Sequence, residues 1–130
     1  EGVTTFVEVG PGKVLTNLVS NANKYTQEGG HIVIGAAASS NHWDPEGAKR
    51  VVHLWVQDDG IGISAEDQAK IFVKFFRSDD MKARESPGTG LGLNITKSLV
   101  EMQGGRVWFE SEYRKGTIFH FTVPIAEGIS

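Results

Sequence analysis

The strand-like and helix-like segments of this 130-residue chain do not take turns, and that order limits the fold more than any bulk property does. Residues 31–38 and 51–57 read as two consecutive strands separated by a polar loop, Ser39 to Lys49, which is the best candidate for a variable surface insertion. Residues 106–111 and 117–123 read as a second consecutive pair, joined by a turn through Lys115-Gly116. A fifth short strand is expected over residues 4–9, broken by Gly10-Pro11-Gly12.

Helical periodicity is confined to three stretches. Over residues 13–26, Val14, Leu15, Leu18, Val19, Ala22 and Tyr25 recur at steps of three and four and form one buried stripe. Ser64 with Asp67 fits a capping box for a second helix, whose apolar face carries Ile71, Phe72, Phe75 and Phe76. Over residues 91–103, Leu91, Ile95, Leu99 and Met102 mark a third helix, closed by Gly104-Gly105. A doubly wound parallel sheet needs strands that alternate with helices, and these do not. The expected architecture is α+β: a two-layer sandwich with a mixed five-stranded sheet and three helices on one face.

No repeat, low-complexity tract or linker divides the chain, so residues 1–130 are expected to form a single domain. A formal net charge of -3 argues against nucleic acid, whose readers carry a basic surplus. The absence of cysteine removes disulfides, zinc-thiolate sites and a cysteine nucleophile together. No apolar run reaches membrane-spanning length, so no direct membrane contact is expected, although a parent protein could be anchored elsewhere.

Four segments carry chemistry. Asn17, Asn21 and Lys24 share one side of the first helix, away from the centre of its apolar stripe. A solvated face is the ordinary explanation, but Asn is a mediocre helix former there. The alternative is a row of neutral oxygens and one cation facing a phosphate-bound metal, for which one amide oxygen would suffice with Mg²⁺. Asp58-Asp59-Gly60-Ile61-Gly62 follows an apolar strand. It is either a strand-ending turn or a carboxylate placed to accept from a base's amino group, with glycines admitting the ring.

Gly88-Thr89-Gly90-Leu91-Gly92-Leu93 precedes the third helix, where exposed N–H groups and the helix dipole favour an anion. It is either a phosphate loop or a glycine-rich hinge. Neither GxGxxG after a strand nor GxxxxGK[ST] is present. Phe75-Phe76-Arg77 borders the charged, aperiodic stretch 78–87, read as a mobile loop. Phe72 and Phe75 read as core, whereas the Arg77 guanidinium could reach a terminal phosphate.

Taken in order, these segments resemble the catalytic domain of sensor histidine kinases, within the superfamily shared by gyrase, a heat-shock chaperone and MutL. Asn17 to Thr26 is similar to the family's asparagine box, Asp58 to Gly62 to its first glycine box, Ile71 to Arg77 to its phenylalanine box, and Gly88 to Leu93 to its second glycine box. The stretch 104–124 is similar to the family's closing strands. Val73 stands where the family often has Glu, and Pro11-Gly12-Lys13 replaces a Leu-containing lead-in.

The resemblance implies a Bergerat-type ATP-binding fold with ATP and Mg²⁺ as ligands. Asp58 would hold the adenine amino group, with Gly60, Gly62, Ile63 and Thr117 beside the ring. Asn21 would coordinate Mg²⁺, and Asn17, Lys24, Tyr25 and Phe75 would line the nucleotide site. Gly88, Thr89, Gly90, Leu91, Gly92 and Leu93 would bind the nucleotide, their glycines letting a lid at 78–87 close. Lys24 and Arg77 would stabilise the transferring phosphoryl group.

The ATP-hydrolysing members of the superfamily carry Glu where this chain has Asn17, and an amide cannot act as a general base at neutral pH. Transfer to a separate acceptor is therefore the better reading. His31, His42, His53 and His120 are followed by Ile, Trp, Leu and Phe, not by the acidic residue of the family's acceptor. The chain is expected to bind ATP as a cytoplasmic monomer without phosphorylating itself on histidine. It would act in two-component signalling on a helical dimerisation and phosphoacceptor domain, and indirectly on a response regulator. The alternatives are a non-catalytic ATP-binding module and a serine kinase of the anti-sigma-factor type.

Overall fold

The computed structural model describes residues 11–72 and 92–125. The expected strand at 4–9, the lid at 78–87 and most of the phenylalanine and second glycine boxes lie outside the described residues. The elements are α1 (Pro11–Tyr25), β1 (Ile32–Ser40), β2 (Arg50–Asp58), α2 (Ala65–Gln68), α3 (Gly92–Met102), β3 (Val107–Glu112) and β4 (Gly116–Pro124). The four described strands form one sheet in the order β1-β2-β4-β3, and every pairing is antiparallel. The fold is the expected α+β sandwich. The described part of the sheet is antiparallel throughout, and the expectation of a mixed, five-stranded sheet falls partly on residues outside the described ones.

Pro11, expected to help end the first strand, also opens α1, two residues before the expected helix start. Its fixed φ suits the first helical turn, where a missing N–H removes no helical bond. Val14, Leu18 and Ala22 are buried along one stripe, flanked by half-buried Leu15 and Val19, as their spacing predicts. The helix ends where Thr26 Oγ1 donates to the Ala22 carbonyl (2.6 Å) and Gly29 takes a φ of 86°.

Pairing Val56 with both Ile34 and Phe119, and Phe119 with Phe109, places these residues in one row across the inner face. The next row runs through Ala36, Leu54, Phe121 and Val107. The α1 stripe packs against these rows with Val100 of α3, and together they form the core.

Two helices depart from expectation. α2 is a single turn, opened by Ser64 Oγ accepting from Asp67 N–H (3.3 Å). Lys70 N–H then bonds to Asp67 carbonyl (2.9 Å), a three-residue step that tightens the chain out of α-geometry. Ile71 and Phe72 therefore enter the core from turns, with Phe72 edge-on to Phe109 and Phe119.

In α3 the inward face differs from the expected Leu91–Ile95–Leu99–Met102 stripe. Ile95 is 44% and Met102 81% exposed, whereas Thr96 and Val100 are buried. A hydroxyl in the inward row conceals that face from a search for apolar spacing alone.

The outer face of the sheet carries rings. Trp55, His120 and Trp108 lie in one cross-strand row, and Trp43 folds over them from the β1–β2 loop, 5.3 Å from Trp108 and 4.8 Å from His53 between centroids. The loop expected to be a surface insertion therefore covers part of the sheet. His53 Nε2 and His120 Nδ1 are 2.9 Å apart, and His120 Nε2 is 3.3 Å from Glu110 Oε1. If His120 donates to Glu110, His53 Nε2–H is the donor between the rings.

Burial first, then His120 and His42, push the His53 pKa below its ordinary value, with Glu110 acting in the opposite direction. Below about pH 6.5 the unfolded chain protonates this position while the folded chain resists, so stability falls with pH until the folded-state pKa is passed. Urea midpoints at pH 7.5 and 5.5 should show a smaller acid loss in His53→Gln than in the parent; equal losses would exclude the effect.

Candidate functional site

The end of β2 places a carboxylate where the sheet stops and the chain turns under α1. Asp58 Oδ1 accepts from Gly60 N–H (2.8 Å), and the backbone N–H of Thr117 also bonds to the carboxylate. Burial raises the Asp58 pKa most and Asp59 raises it further, while the two N–H bonds oppose them. Asp59 points elsewhere. It bonds His31 N–H (2.8 Å) and the His31 ring (3.1 Å), which together hold its pKa below the usual carboxylate range. Adjacent carboxylates thus have different duties: Asp59 ties β1 to β2, and Asp58 faces a cavity.

That cavity is lined by Asn21, Ala22 and Tyr25 from α1, Asp58, Ile61, Gly62 and Ile63 from the turn after β2, Leu93 from α3, and Thr117 and Phe119 from β4. It is open to solvent and its cavity volume is only about 20 Å³, so it is a narrow slot. Mostly apolar walls with one half-buried carboxylate suit a flat heteroaromatic ring bearing a donor.

The glycines here have reasons internal to the chain. A Cβ at Gly60 would collide with the Tyr25 carbonyl oxygen, and one at Gly62 with that of Glu112. Gly62 also takes a φ of 69°, which an L side chain rarely adopts. The turn can therefore lie flat between the end of α1 and the β3–β4 hairpin, where Ile61 N–H reaches Tyr25 carbonyl (3.4 Å) and Arg114 N–H reaches Ile61 carbonyl.

Of the residues expected at the site, Asn21, Tyr25, Asp58, Gly62, Ile63, Leu93 and Thr117 line one cavity. Gly60 supports it from behind, Gly92 opens α3, and Lys24 occupies the last turn of α1. Asn17 does not line the cavity. It lies one turn earlier on α1, its Nδ2 donating to Thr96 Oγ1 (3.3 Å). Phe75, Arg77, Gly88, Thr89, Gly90 and Leu91 lie outside the described residues.

Sequence reading missed Ser111. Its Oγ accepts from Ile63 N–H (2.8 Å), donates to Gly116 carbonyl (3.0 Å) and meets Thr117 Oγ1 at 2.8 Å. One hydroxyl thus ties the turn, the hairpin and the cavity wall together. Its signal was available, since Ser111 pairs with Thr117 on the inner face of expected strands. The Asp59–His31 clasp had no local signal, because 28 residues separate the pair.

Among the described residues, no group of three or more His, Cys, Asp or Glu side chains could cage a metal. The amide of Asn21 on the cavity fits Mg²⁺ carried by a phosphate ligand, which keeps most of its shell as phosphate and water. No helix among the described residues is long and apolar enough to cross a membrane.

Residues 7–127 match the family model described as histidine kinase-, DNA gyrase B-, and HSP90-like ATPase. The chain is 39% identical over 125 residues to the sensor histidine kinase WalK of Bacillus subtilis, covering 94% of this chain and 19% of WalK. It is 40% identical over 116 residues to the adaptive-response sensory kinase SasA of Synechococcus sp. CC9902, covering 89% of this chain and 28% of that one. It therefore spans less than a third of the length of these relatives.

Among solved structures, it superposes on the mycobacterial sensor histidine kinase MprB with a TM-score of 0.69 at 31% identity, over 87% of this chain and 70% of that one. It also superposes on the catalytic domain of histidine kinase ThkA with a TM-score of 0.64 at 33% identity, over 86% of this chain and 64% of that one. For full-length ShkA in complex with AMPPNP the TM-score is 0.64 at 31% identity, over 88% of this chain and 21% of that one.

Proposed function

The chain belongs to the histidine kinase-, DNA gyrase B- and HSP90-like ATPase family, and on that footing we propose that it binds Mg²⁺-ATP and transfers the γ-phosphoryl group to a histidine on a separate helical domain. The observation that carries the binding half is Asp58: a half-buried carboxylate, fixed by two backbone N–H groups, facing an apolar slot. In its charged form it accepts from the adenine 6-amino group, and Ile63, Leu93 and Phe119 enclose the ring. The Asn21 amide oxygen suits Mg²⁺ on the phosphates.

In the transfer step, the bond from γ-phosphorus to the β–γ bridging oxygen breaks and one to an imidazole nitrogen forms. ADP leaves, and the imidazole loses its N–H proton to solvent or a base on its own domain. This chain contributes positioning and positive charge through Lys24 and Arg77, with no carboxylate to activate water at Asn17. In this reading residues 1–130 are the catalytic piece of a longer two-component kinase. It is a cytoplasmic, monomeric module that relies on the helical domain for dimerisation and supplies a response regulator indirectly.

The test combines the domain, γ-labelled ATP and a separately purified helical acceptor domain. Acid-labile label on an acceptor histidine supports transfer. ATP binding without transfer would leave a nucleotide-sensing module, and acid-stable label on serine would assign an anti-sigma-type kinase. Arg77→Ala is expected to keep the parent's ATP affinity and reduce transfer, since a contact to moving charge acts mainly in the transition state. A weakened ATP affinity in that variant would overturn this division of roles.

A further inference from the structure

Two polar side chains meet where α1 packs against α3. Asn17 Nδ2 donates to Thr96 Oγ1 at 3.3 Å, across 79 residues of sequence. Thr96 is completely enclosed, in a row whose neighbours one turn either way are Leu93 and Val100. A hydroxyl there carries a desolvation cost that a valine of nearly equal volume would avoid, and hydrogen bonding offsets it.

An asparagine amide has a donor end and an acceptor end, and an unrestrained side chain can present either. Once Nδ2 is held by Thr96 Oγ1, Oδ1 is the end turned away from that contact. Asn21, one turn further along the same face of α1, lines the cavity. Nucleotide-bound Mg²⁺ retains waters, and these donate hydrogen bonds outward, so an oxygen serves them and an NH₂ group does not.

We propose that Thr96 is a positioning residue: it locks the Asn17 amide so that its oxygen faces the hydration shell of nucleotide-bound Mg²⁺. This rests on the Mg²⁺-ATP reading above. It also gives Asn17 a use that neither a solvated helix face nor a general base provides. Thr96 itself touches neither nucleotide nor metal.

The test is ATP binding by calorimetry, with and without Mg²⁺, for the parent, Thr96→Val, Thr96→Ser, Asn17→Ala and the Thr96→Val/Asn17→Ala double variant. Loss of one neutral hydrogen bond should weaken Mg²⁺-ATP roughly threefold to tenfold in Thr96→Val. Binding of Mg²⁺-free ATP should not change. Thr96→Ser, which keeps the hydroxyl, should restore the parent's affinity, and Thr96→Val should add nothing in the Asn17→Ala background. The Asn17 side-chain NH₂ resonances should shift in Thr96→Val and not in Thr96→Ser.

Parent-like Mg²⁺-ATP affinity in Thr96→Val, with Asn17→Ala weakened, would overturn the positioning role and leave the site reading intact. Equal weakening with and without Mg²⁺ would reduce Thr96 to a packing residue. An Asn17→Ala variant with unchanged Mg²⁺ dependence would remove the role of Asn17 at the metal, and this inference with it.

Discussion

Asp58→Ala is expected to weaken ATP roughly 10- to 100-fold, because a hydrogen bond to a charged, half-buried group is lost with no water well placed to replace it. Asp58→Asn should be nearly as damaging for a different reason. Its Oδ1 can keep the Gly60 N–H bond (2.8 Å in the parent), but the other end then presents a donor to the donor of the base. Calorimetry with Mg²⁺ present measures both.

Stability should move the other way in Asp58→Asn. The folded-state pKa of Asp58 lies above its unfolded value, so the folded chain holds the proton more tightly. As pH rises through the carboxylate range the unfolded state ionises first, and the site becomes a net penalty that persists at neutral pH. Without nucleotide, the parent should therefore lose stability relative to Asp58→Asn as pH rises through the carboxylate range to 7. In the parent, ATP binding should decline on acidification as Asp58 takes up its proton, and that decline should be absent in the variant. A variant that bound ATP like the parent would remove Asp58 from the adenine site.

Phe121→Ala should cost about 3–5 kcal/mol, among the largest losses a single core truncation produces. Phe121 is 1% exposed, paired with Leu54 and Val107, and packed in the cluster formed by the α1 stripe and Phe119. A domain of this size holds about 5–15 kcal/mol in total, so the variant should be marginal. The urea midpoint should fall accordingly, and Phe121→Leu should lose distinctly less. A loss under about 1 kcal/mol for Phe121→Ala would mean that the helical layer can close over the gap. The effect bears on function because Phe119, two residues away on the same face, forms part of the cavity wall.

Much of this organisation is legible in the chain itself. The period of Val14, Leu18 and Ala22 determines the buried face of α1, and the two consecutive pairs of strand-like runs mark the segments that become β1–β2 and β3–β4, although the uniformly antiparallel pairing of the described strands was not among the expectations. Asp58 at a strand end before closely spaced glycines marks the cavity, because strand period and turn chemistry are local properties. Local signals fail where a polar group is used inside. Thr96 lies in the inward row of α3, so a search for apolar spacing selected Ile95 and Met102, which face water.

Tertiary structure alone decided what pairs across long separations. It joined Asn17 to Thr96, His31 to Asp59, and Ser111 to Ile63, and it folded Trp43 over the outer rings of the sheet. It also gave Gly60 and Gly62 their specific reason, the carbonyls of Tyr25 and Glu112, where the sequence suggested a strand-ending turn or room for a ligand. Periodicity tells which side of an element seeks burial. Which partner meets it depends on how elements cross, and that is set by packing the whole core at once.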